Sequence, residues 1–171
     1  DPEKKAAVRM LTEIGPSAFV LGNDNLYALT QLKVTNLSLL FGNSPESAYA
    51  YIVFGTVMAG LFGNLEAAEN FGKLALALNE KMGDIEFRCR LIAAYGVLTH
   101  HFNHHWSTQG EWFKKGIEAG YLSGDLFYLA HCAVTCTVYN PSLTLPASLE
   151  DQKKYLKVIK DTNYADAYDT A

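Results

Sequence analysis

The segment spanning residues 43–82 constrains the fold most, because its pattern is that of two helices joined by a two-residue turn. Pro45 suits the first position of a helix, where its missing N–H costs no hydrogen bond. Ser44 before it can accept hydrogen bonds from the first free backbone amides. Gly63 and Asn64 then interrupt the helical pattern before it resumes, and both residue types favour turns. The segment therefore predicts a helical hairpin over residues 45–82.

The two predicted helices of this hairpin differ in character. Between Ala48 and Phe62 nearly every residue is apolar or aromatic, which is typical of a helix that is covered on most sides. In the second helix the apolar residues fall on one stripe, which consists of Leu65, Ala68, Phe71, Ala75, Leu78 and Met82. Gly55 would cost about 1 kcal/mol relative to alanine inside a helix, so it indicates a close approach between neighbouring backbones. We therefore expect an inner helix followed by an outer helix.

The same kind of unit recurs along the chain. Tyr95-Gly96 repeats Phe54-Gly55 after an interval of 41 residues. Helical spacing of the apolar residues predicts two further hairpins, over about 85–121 and 125–161, the last of which contains a long connection with Pro141 and Pro146 and a helix that begins near Ser148.

Two further helices are expected before the first hairpin, over residues 2–14 and 24–41. Gly15-Pro16 is expected to end the first of them, and Asp24 is expected to cap the second. No segment shows the period-two alternation of a strand. The sequence therefore predicts an all-α fold of about eight helices, arranged as stacked antiparallel hairpins in a single helical-repeat domain over 1–171.

Composition limits the classes of partner. With 49% hydrophobic residues, 19% charged residues and a net charge of −4, the chain has no basic face for nucleic acid. No apolar run approaches the roughly 20 residues that span a bilayer, and no signal peptide is recognisable, so we expect a cytoplasmic protein without membrane insertion. Because the chain starts with Asp1 and the segment 164–171 resembles the opening of another helix, we expect a fragment of a longer protein.

The residues do not form a recognisable catalytic constellation. No glycine-rich loop that ends in Lys-Ser or Lys-Thr is present, and Glu66, Glu69 and Asp125 lie on predicted polar faces, where we expect them to be solvated. The cysteines are three in number, Cys89, Cys132 and Cys136, and fall inside predicted helices, as is typical of buried reduced thiols. We therefore expect no cofactor and no enzymatic activity in this part of the chain.

A histidine cluster provides the main alternative. His100 and His104, and likewise His101 and His105, are spaced i to i+4, a separation that can bring two imidazoles to one metal ion. A third ligand would have to come from His131, Cys132, Cys136 or an acid elsewhere. The competing interpretation is that these histidines cap and pack the end of a helix.

Four stretches together resemble one particular helical region. They are the run 42–51, which reads Gly-Asn-Ser-Pro-Glu-Ser-Ala-Tyr-Ala-Tyr, the run 71–78, which reads Phe-Gly-Lys-Leu-Ala-Leu-Ala-Leu, then Arg88-Cys89-Arg90 and His104-His105-Trp106. This pattern resembles the tetratricopeptide-like region that follows the AAA-type ATPase module in very large bacterial signalling proteins. Such proteins combine a serine/threonine kinase domain, the ATPase module, this helical region, a GAF sensor domain and often a histidine kinase.

The resemblance covers about residues 26–160 and implies a degenerate tetratricopeptide-like superhelix, since the interval of 41 residues exceeds the usual repeat of about 34. It also implies a non-catalytic protein-interaction and signal-relay module, whose partners are protein domains or peptides, including other modules of the same chain. Exposed aromatic residues would anchor such partners, and Tyr49, Tyr51, Tyr95 and Trp112 are the candidates, with core packing as the alternative for each. A small-ligand sensor, with a pocket closed by the 141–147 connection, is a further alternative.

Overall fold

The computed structural model describes residues 2–138 and 143–163, except for the side chains of 137 and 138. Over these residues it contains helices and no strand, so the all-α prediction is confirmed. The chain divides into two compact units, Asp1–Asp84 and Ile85–Ala171. The boundary falls between the first and second predicted hairpins, and the interpretation of 1–171 as one repeat domain stays a prediction.

The first unit contains four helices. They are α1 (Pro2–Val20), α2 (Asp24–Phe41), α3 (Pro45–Phe62) and α4 (Leu65–Met82). Connections of two or three residues join packed neighbours, so each helix runs antiparallel to the one before it. A small core between α1, α2 and α3 is formed by Val8, Val34 and Ala50, with Leu11 and Leu37 packed against it.

The second unit contains four further helices among its described residues. Helix α5 begins with the α-helical Arg88–Tyr95, continues through the π-helical Gly96–His100 and ends with the α-helical His101–Asn103. A 3₁₀ turn, Trp106–Thr108, leads into α6 (Gln109–Ser123), which is followed by α7 (Leu126–Val138) and α8 (Leu145–Asp161). The described residues thus form eight helices when α5 is counted once, as predicted.

The core of the second unit joins all four of its described helices. Its fully buried members include Cys89, Phe113, Leu129, Cys132, Ala133 and Ile159, which come from α5, α6, α7 and α8. The side chain of Cys136 and the ring of Tyr155 extend this core toward α8.

Helix α1 is longer than expected, because the prediction that Gly15-Pro16 ends it is wrong. Pro16 removes the amide that would bond to the carbonyl oxygen of Thr12, but the helix continues to Val20. Gly15 is instead the point where α1 meets α2, since a Cβ atom at this position would overlap Nε2 of Gln31. The glycine allows the two helices to approach, and their packing offsets the missing hydrogen bond.

Three other boundaries differ from the expectation. Asn23, rather than Asp24, caps α2, and its Oδ1 accepts a hydrogen bond from the amide of Leu26 at 3.1 Å. Helix α5 starts at Arg88 instead of about residue 85. Helix α8 starts at Leu145 instead of Ser148, with Pro146 in its first turn, where a missing N–H costs no helical hydrogen bond. Pro141 lies outside the described residues.

Helix α3 is an inner helix over part of its length only. Residues 48–53 are all less than 5% exposed, which confirms the prediction for the first half. The last turn is different, because Leu61 is 77% exposed and Phe62 is 70% exposed. The expectation that α3 is covered on most sides is therefore wrong at its carboxyl end, where the apolar pattern continues beyond the packed neighbours.

Helix α4 packs through a narrower stripe than expected. Its buried face consists of Ala68, Glu69, Gly72, Ala75 and Asn79. Leu65 and Met82, which the spacing placed on the apolar side, are about two-fifths exposed. Glu69, which was expected in solvent, is 5% exposed and its Oε1 lies 3.0 Å from Nζ of Lys73 one turn later. Glu66 is exposed as expected, and Asp125 caps α7 by accepting the amide of Tyr128.

Small residues allow α3 and α4 to approach closely, as the sequence predicted for Gly55. A Cβ atom at Gly55 would lie 2.9 Å from the carbonyl oxygen of Ala68 and 3.1 Å from its Cα. The ring of Phe71 packs beside this contact, edge-on to the ring of Phe54 at a centroid distance of 4.7 Å.

We expect Gly55→Ala to destabilise the protein by about 1–3 kcal/mol, because the obstructing atoms belong to backbone that cannot rotate away. Gly60→Ala in the same helix is the matched control, since nothing lies within 4 Å of a Cβ atom there. This control variant should be about 0.5–1 kcal/mol more stable than the unsubstituted protein, because alanine has the better helix propensity. Urea unfolding followed by circular dichroism measures both changes, and equal stabilities of the two variants would contradict the close contact.

Candidate functional site

Ring-bearing side chains cluster where α5 ends and α6 begins. The ring of Tyr95 lies 5.0 Å from that of Trp112, and the imidazole of His100 lies 5.7 Å from the same indole. His104 stands edge-on to His100 at 4.3 Å. His100 is 5% exposed, and its Nε2 lies 3.4 Å from Oγ1 of Thr108. The cluster therefore joins the π-helical end of α5 to the turn that precedes α6.

The structure brings together only one of the two predicted histidine pairs. His101 packs on the adjacent ring of Phe102 at 4.2 Å. His105 makes a separate local contact, with its Nδ1 2.8 Å from Oγ of Ser107, and caps the 3₁₀ turn. His131, a candidate third ligand, packs against the ring of Phe127 at 4.6 Å.

No group of three or more His, Cys, Asp or Glu side chains that could hold a metal ion occurs in ranges 2–138 and 143–163. The pairing of His100 with His104 lacks a third protein ligand there, whereas structural metal sites use four. The contacts of these histidines therefore favour the alternative in which they cap and pack a helix end.

The three tyrosines predicted as interaction anchors are buried. Tyr49 is 4% exposed, and its hydroxyl oxygen lies 3.3 Å from that of Tyr27. Tyr51 is 3% exposed and donates a hydrogen bond to Oδ1 of Asn43 at 2.6 Å. Burial raises the pKa of the Tyr27 and Tyr51 hydroxyls. Tyr95, 4% exposed, packs within the ring cluster described above.

Trp112, the fourth predicted anchor, is partly buried, and its Nε1 donates a hydrogen bond to the carbonyl oxygen of Ile92 at 2.9 Å. All four residues therefore hold helices together, and the expectation of exposed aromatic anchors needs correction. The reason is that an aromatic residue on an inner helix supplies a large apolar surface to the core, while its polar atom finds a nearby backbone or side-chain partner.

The three cysteines are free and buried, as the sequence predicted. A hydrogen bond from the Cys132 thiol to the sulfur of Cys89 and burial both raise the pKa of Cys132, because each favours the protonated form. Burial also raises the pKa of Cys136 to about 11. A thiol with a raised pKa carries little of the reactive thiolate at neutral pH, so Cys132 and Cys136 are suited to packing and not to nucleophilic chemistry.

Exposed apolar residues form a feature of the first unit that the sequence analysis did not identify. Seven large apolar side chains near the α1–α2 and α3–α4 turns are between 38% and 83% exposed, and we call them the apolar end: Phe19, Val20, Leu21, Leu26, Leu61, Phe62 and Leu65. Their position in the sequence could have indicated this exposure, because they flank the turn residues Gly22 and Gly63, where polar side chains are usual.

A cleft of about 250 Å³ lies beside the π-helical segment of the second unit, and we call it the π cleft. Its lining residues are Val97, His101, Trp106, Gln109, Phe113 and Thr135. The hypothesis of a small-ligand sensor predicts a pocket that is closed by the 141–147 connection. Part of this connection lies outside the described residues. The described residues that line the π cleft belong to other elements, namely α5, the 3₁₀ turn, α6 and α7.

No protein family model matches this chain, and no curated protein matches its sequence. None of the described helices is both long enough and apolar enough to cross a membrane. The resemblance to a tetratricopeptide-like signalling region therefore stays a prediction, and the geometry above is the basis for a functional proposal.

We expect the thiols of Cys89, Cys132 and Cys136 to react with Ellman's reagent in the native protein only as fast as the structure opens, because all three are buried. At Cys132 and Cys136 the raised pKa also limits thiolate formation. The urea-unfolded protein is the control and should release three equivalents at once. Rapid stoichiometric labelling of the native protein at neutral pH would contradict the placement of these side chains.

Proposed function

We propose that this chain is a non-catalytic helical module that binds a protein domain or peptide through the apolar end and relays a signal by that contact. The observation that carries the proposal is the exposure of Leu21, Leu61 and Phe62, each more than two-thirds exposed, around two turns of the same unit. Contiguous exposed apolar surface on a folded protein commonly marks a site of interaction with another protein.

Helix topology places these residues at the same end of the first unit. Helix α1 runs toward the α1–α2 turn, α2 runs away from it, and α3 runs back, because the connections are short and the helices pack as antiparallel neighbours. The α1–α2 and α3–α4 turns therefore lie at one end, and the apolar residues that flank both turns share it.

The chemistry of the apolar end supports a partner with an apolar face. All seven of its side chains are aliphatic or aromatic, and none can form an ion pair. The centre of a protein–protein interface is depleted of charge and enriched in such residues. An amphipathic helix or a packed domain face fits this surface better than a charged polymer does.

The resemblance to bacterial signalling proteins supports a partner that is another module of the same parent chain. It also supports a cytoplasmic location for that chain. The most specific stretch of this resemblance, the run 42–51, spans the α2–α3 connection. There Gly42 takes a positive φ of 98°, and Ser47 Oγ accepts the amide of Ser44 at 2.9 Å. Catalysis, if the parent performs any, is assigned by the proposal to neighbouring modules.

The proposal is tested by photo-cross-linking in the parent protein, with Phe62→benzoylphenylalanine as the probe. We expect cross-links from this position to a defined surface of another folded module, since Phe62 is 70% exposed at the apolar end. Glu80→benzoylphenylalanine, at an exposed polar position of α4, is the matched control and should not reach that surface.

A second variant separates binding from folding. Phe62→Asp should change the unfolding free energy by no more than about 0.5 kcal/mol, because the ring is largely exposed. Together with Leu61→Asp it should abolish the cross-links made from Leu21→benzoylphenylalanine. Identical cross-links from the Phe62 and Glu80 positions, or no effect of the aspartates, would overturn the proposal.

A further inference from the structure

The π cleft combines three aromatic rings with two buried polar groups. The ring of Phe113 is fully buried, and the rings of His101 and Trp106, both exposed in part, complete the aromatic lining. Aromatic and apolar linings with a few placed polar groups are typical of small-molecule sites. Val97, which belongs to the π-helical segment, also lines the cleft, and such segments often occur at functional sites.

The amide of Gln109 is held inside the cleft with part of its hydrogen-bonding capacity unused. Gln109 is 4% exposed, and its Nε2 donates to the carbonyl oxygen of Gly96 at a long 3.4 Å. One N–H of this amide is left over, and its Oε1 accepts no hydrogen bond from the part of the chain that the structure describes. The side chain therefore offers a donor and an acceptor side by side.

The hydroxyl of Thr135 adds an acceptor. Thr135 is 8% exposed, and its Oγ1 donates to the carbonyl oxygen of His131 at 2.7 Å. Since its only proton is used in this bond, the oxygen can serve a ligand only by accepting. A ligand that bonds to both residues must carry a donor beside an acceptor on one edge for Gln109, and a second donor for Thr135.

The volume of the π cleft and the charge of its lining limit the class of ligand further. A cavity of about 150 Å³ is sufficient for benzene, so a cleft of about 250 Å³ accommodates one or two fused rings. None of the described lining residues is a carboxylate, an ammonium or a guanidinium group. Apart from the imidazole of His101, the described lining offers a charged ligand no counter-ion, so such a ligand would lose hydration with little compensation.

We propose that the π cleft binds a small, uncharged, planar heterocycle whose edge presents a hydrogen-bond donor next to an acceptor, as in a free nucleobase. The rings of Trp106 and His101 contact its face, Gln109 pairs with its edge through the amide, and Thr135 accepts from its remaining N–H. This site is separate from the apolar end and does not depend on the proposed interaction function.

The probes are adenine and uracil, added to the ¹⁵N-labelled protein up to their solubility limits while the two indole N–H resonances are followed by NMR. Trp106→Phe removes one resonance and thereby assigns it. We expect at least one probe to shift the Trp106 resonance saturably. We expect 1,3-dimethyluracil, which has a similar ring but no N–H donor, to give no saturable shift.

Thr135→Val tests the polar contact, because it removes the hydroxyl and preserves the shape of the side chain. The loss of one neutral hydrogen bond should weaken binding about fivefold. Thr56→Val in the other unit is the matched control, since Oγ1 of Thr56 makes the same kind of bond, to the carbonyl oxygen of Ile52 at 3.0 Å. This control should leave the affinity unchanged.

Two results would overturn the proposal. One is the absence of a saturable shift when either adenine or uracil is added to the unsubstituted protein. The other is binding that 1,3-dimethyluracil reproduces, or that neither Thr135→Val nor Gln109→Leu weakens, because the donor-acceptor edge would then have no role. The spectrum of each variant also reports whether it is folded, so a loss of binding through unfolding is recognised directly.

Discussion

The structure depends on the close approach of neighbouring helices at glycines, where a Cβ atom would meet the facing helix. Gly15 meets Gln31 between α1 and α2, Gly55 meets Ala68 between α3 and α4, and Gly96 meets the ring of Phe113 between α5 and α6. Each contact brings helix surfaces together more closely than a Cβ atom would allow, which increases the dispersion attraction along the rest of the interface. The glycines lower helix propensity, and the tight packing that they permit offsets that cost.

This constraint also decides which side chains remain available for function. Where helices approach closely, large aromatic residues of inner helices are enclosed, and Tyr49, Tyr51 and Tyr95 accordingly bind polar neighbours or pack on other rings within their units. Beyond the packed segment of α3 the helix continues without cover, so Leu61 and Phe62 are exposed. The candidate interaction surface therefore lies at a helix end and not on the aromatic inner face.

The sequence predicted where the helices lie better than it predicted which of their residues are buried. The hairpin over 45–82, the all-α class and the buried thiols follow from Pro45, Gly63 and the periodicity of the apolar residues, which are local signals. The continuation of α1 past Pro16 and the burial of Glu69 depend on what α2 and α3 place opposite them, which no local pattern records. The π-helical segment and the cleft beside it likewise arise from tertiary packing, so the spacing of the histidines alone was ambiguous.

Amide hydrogen exchange followed by mass spectrometry shows which parts of each helix are firmly packed, because it reports backbone protection along every helix. We predict that residues 48–53 of α3 and the buried face of α7 around Leu129 and Cys132 exchange slowest, while the last turn of α3, with Leu61 and Phe62, exchanges much faster. Equal protection along the whole of α3 would contradict this arrangement, since the turn that carries Leu61 and Phe62 would then be held as firmly as residues 48–53.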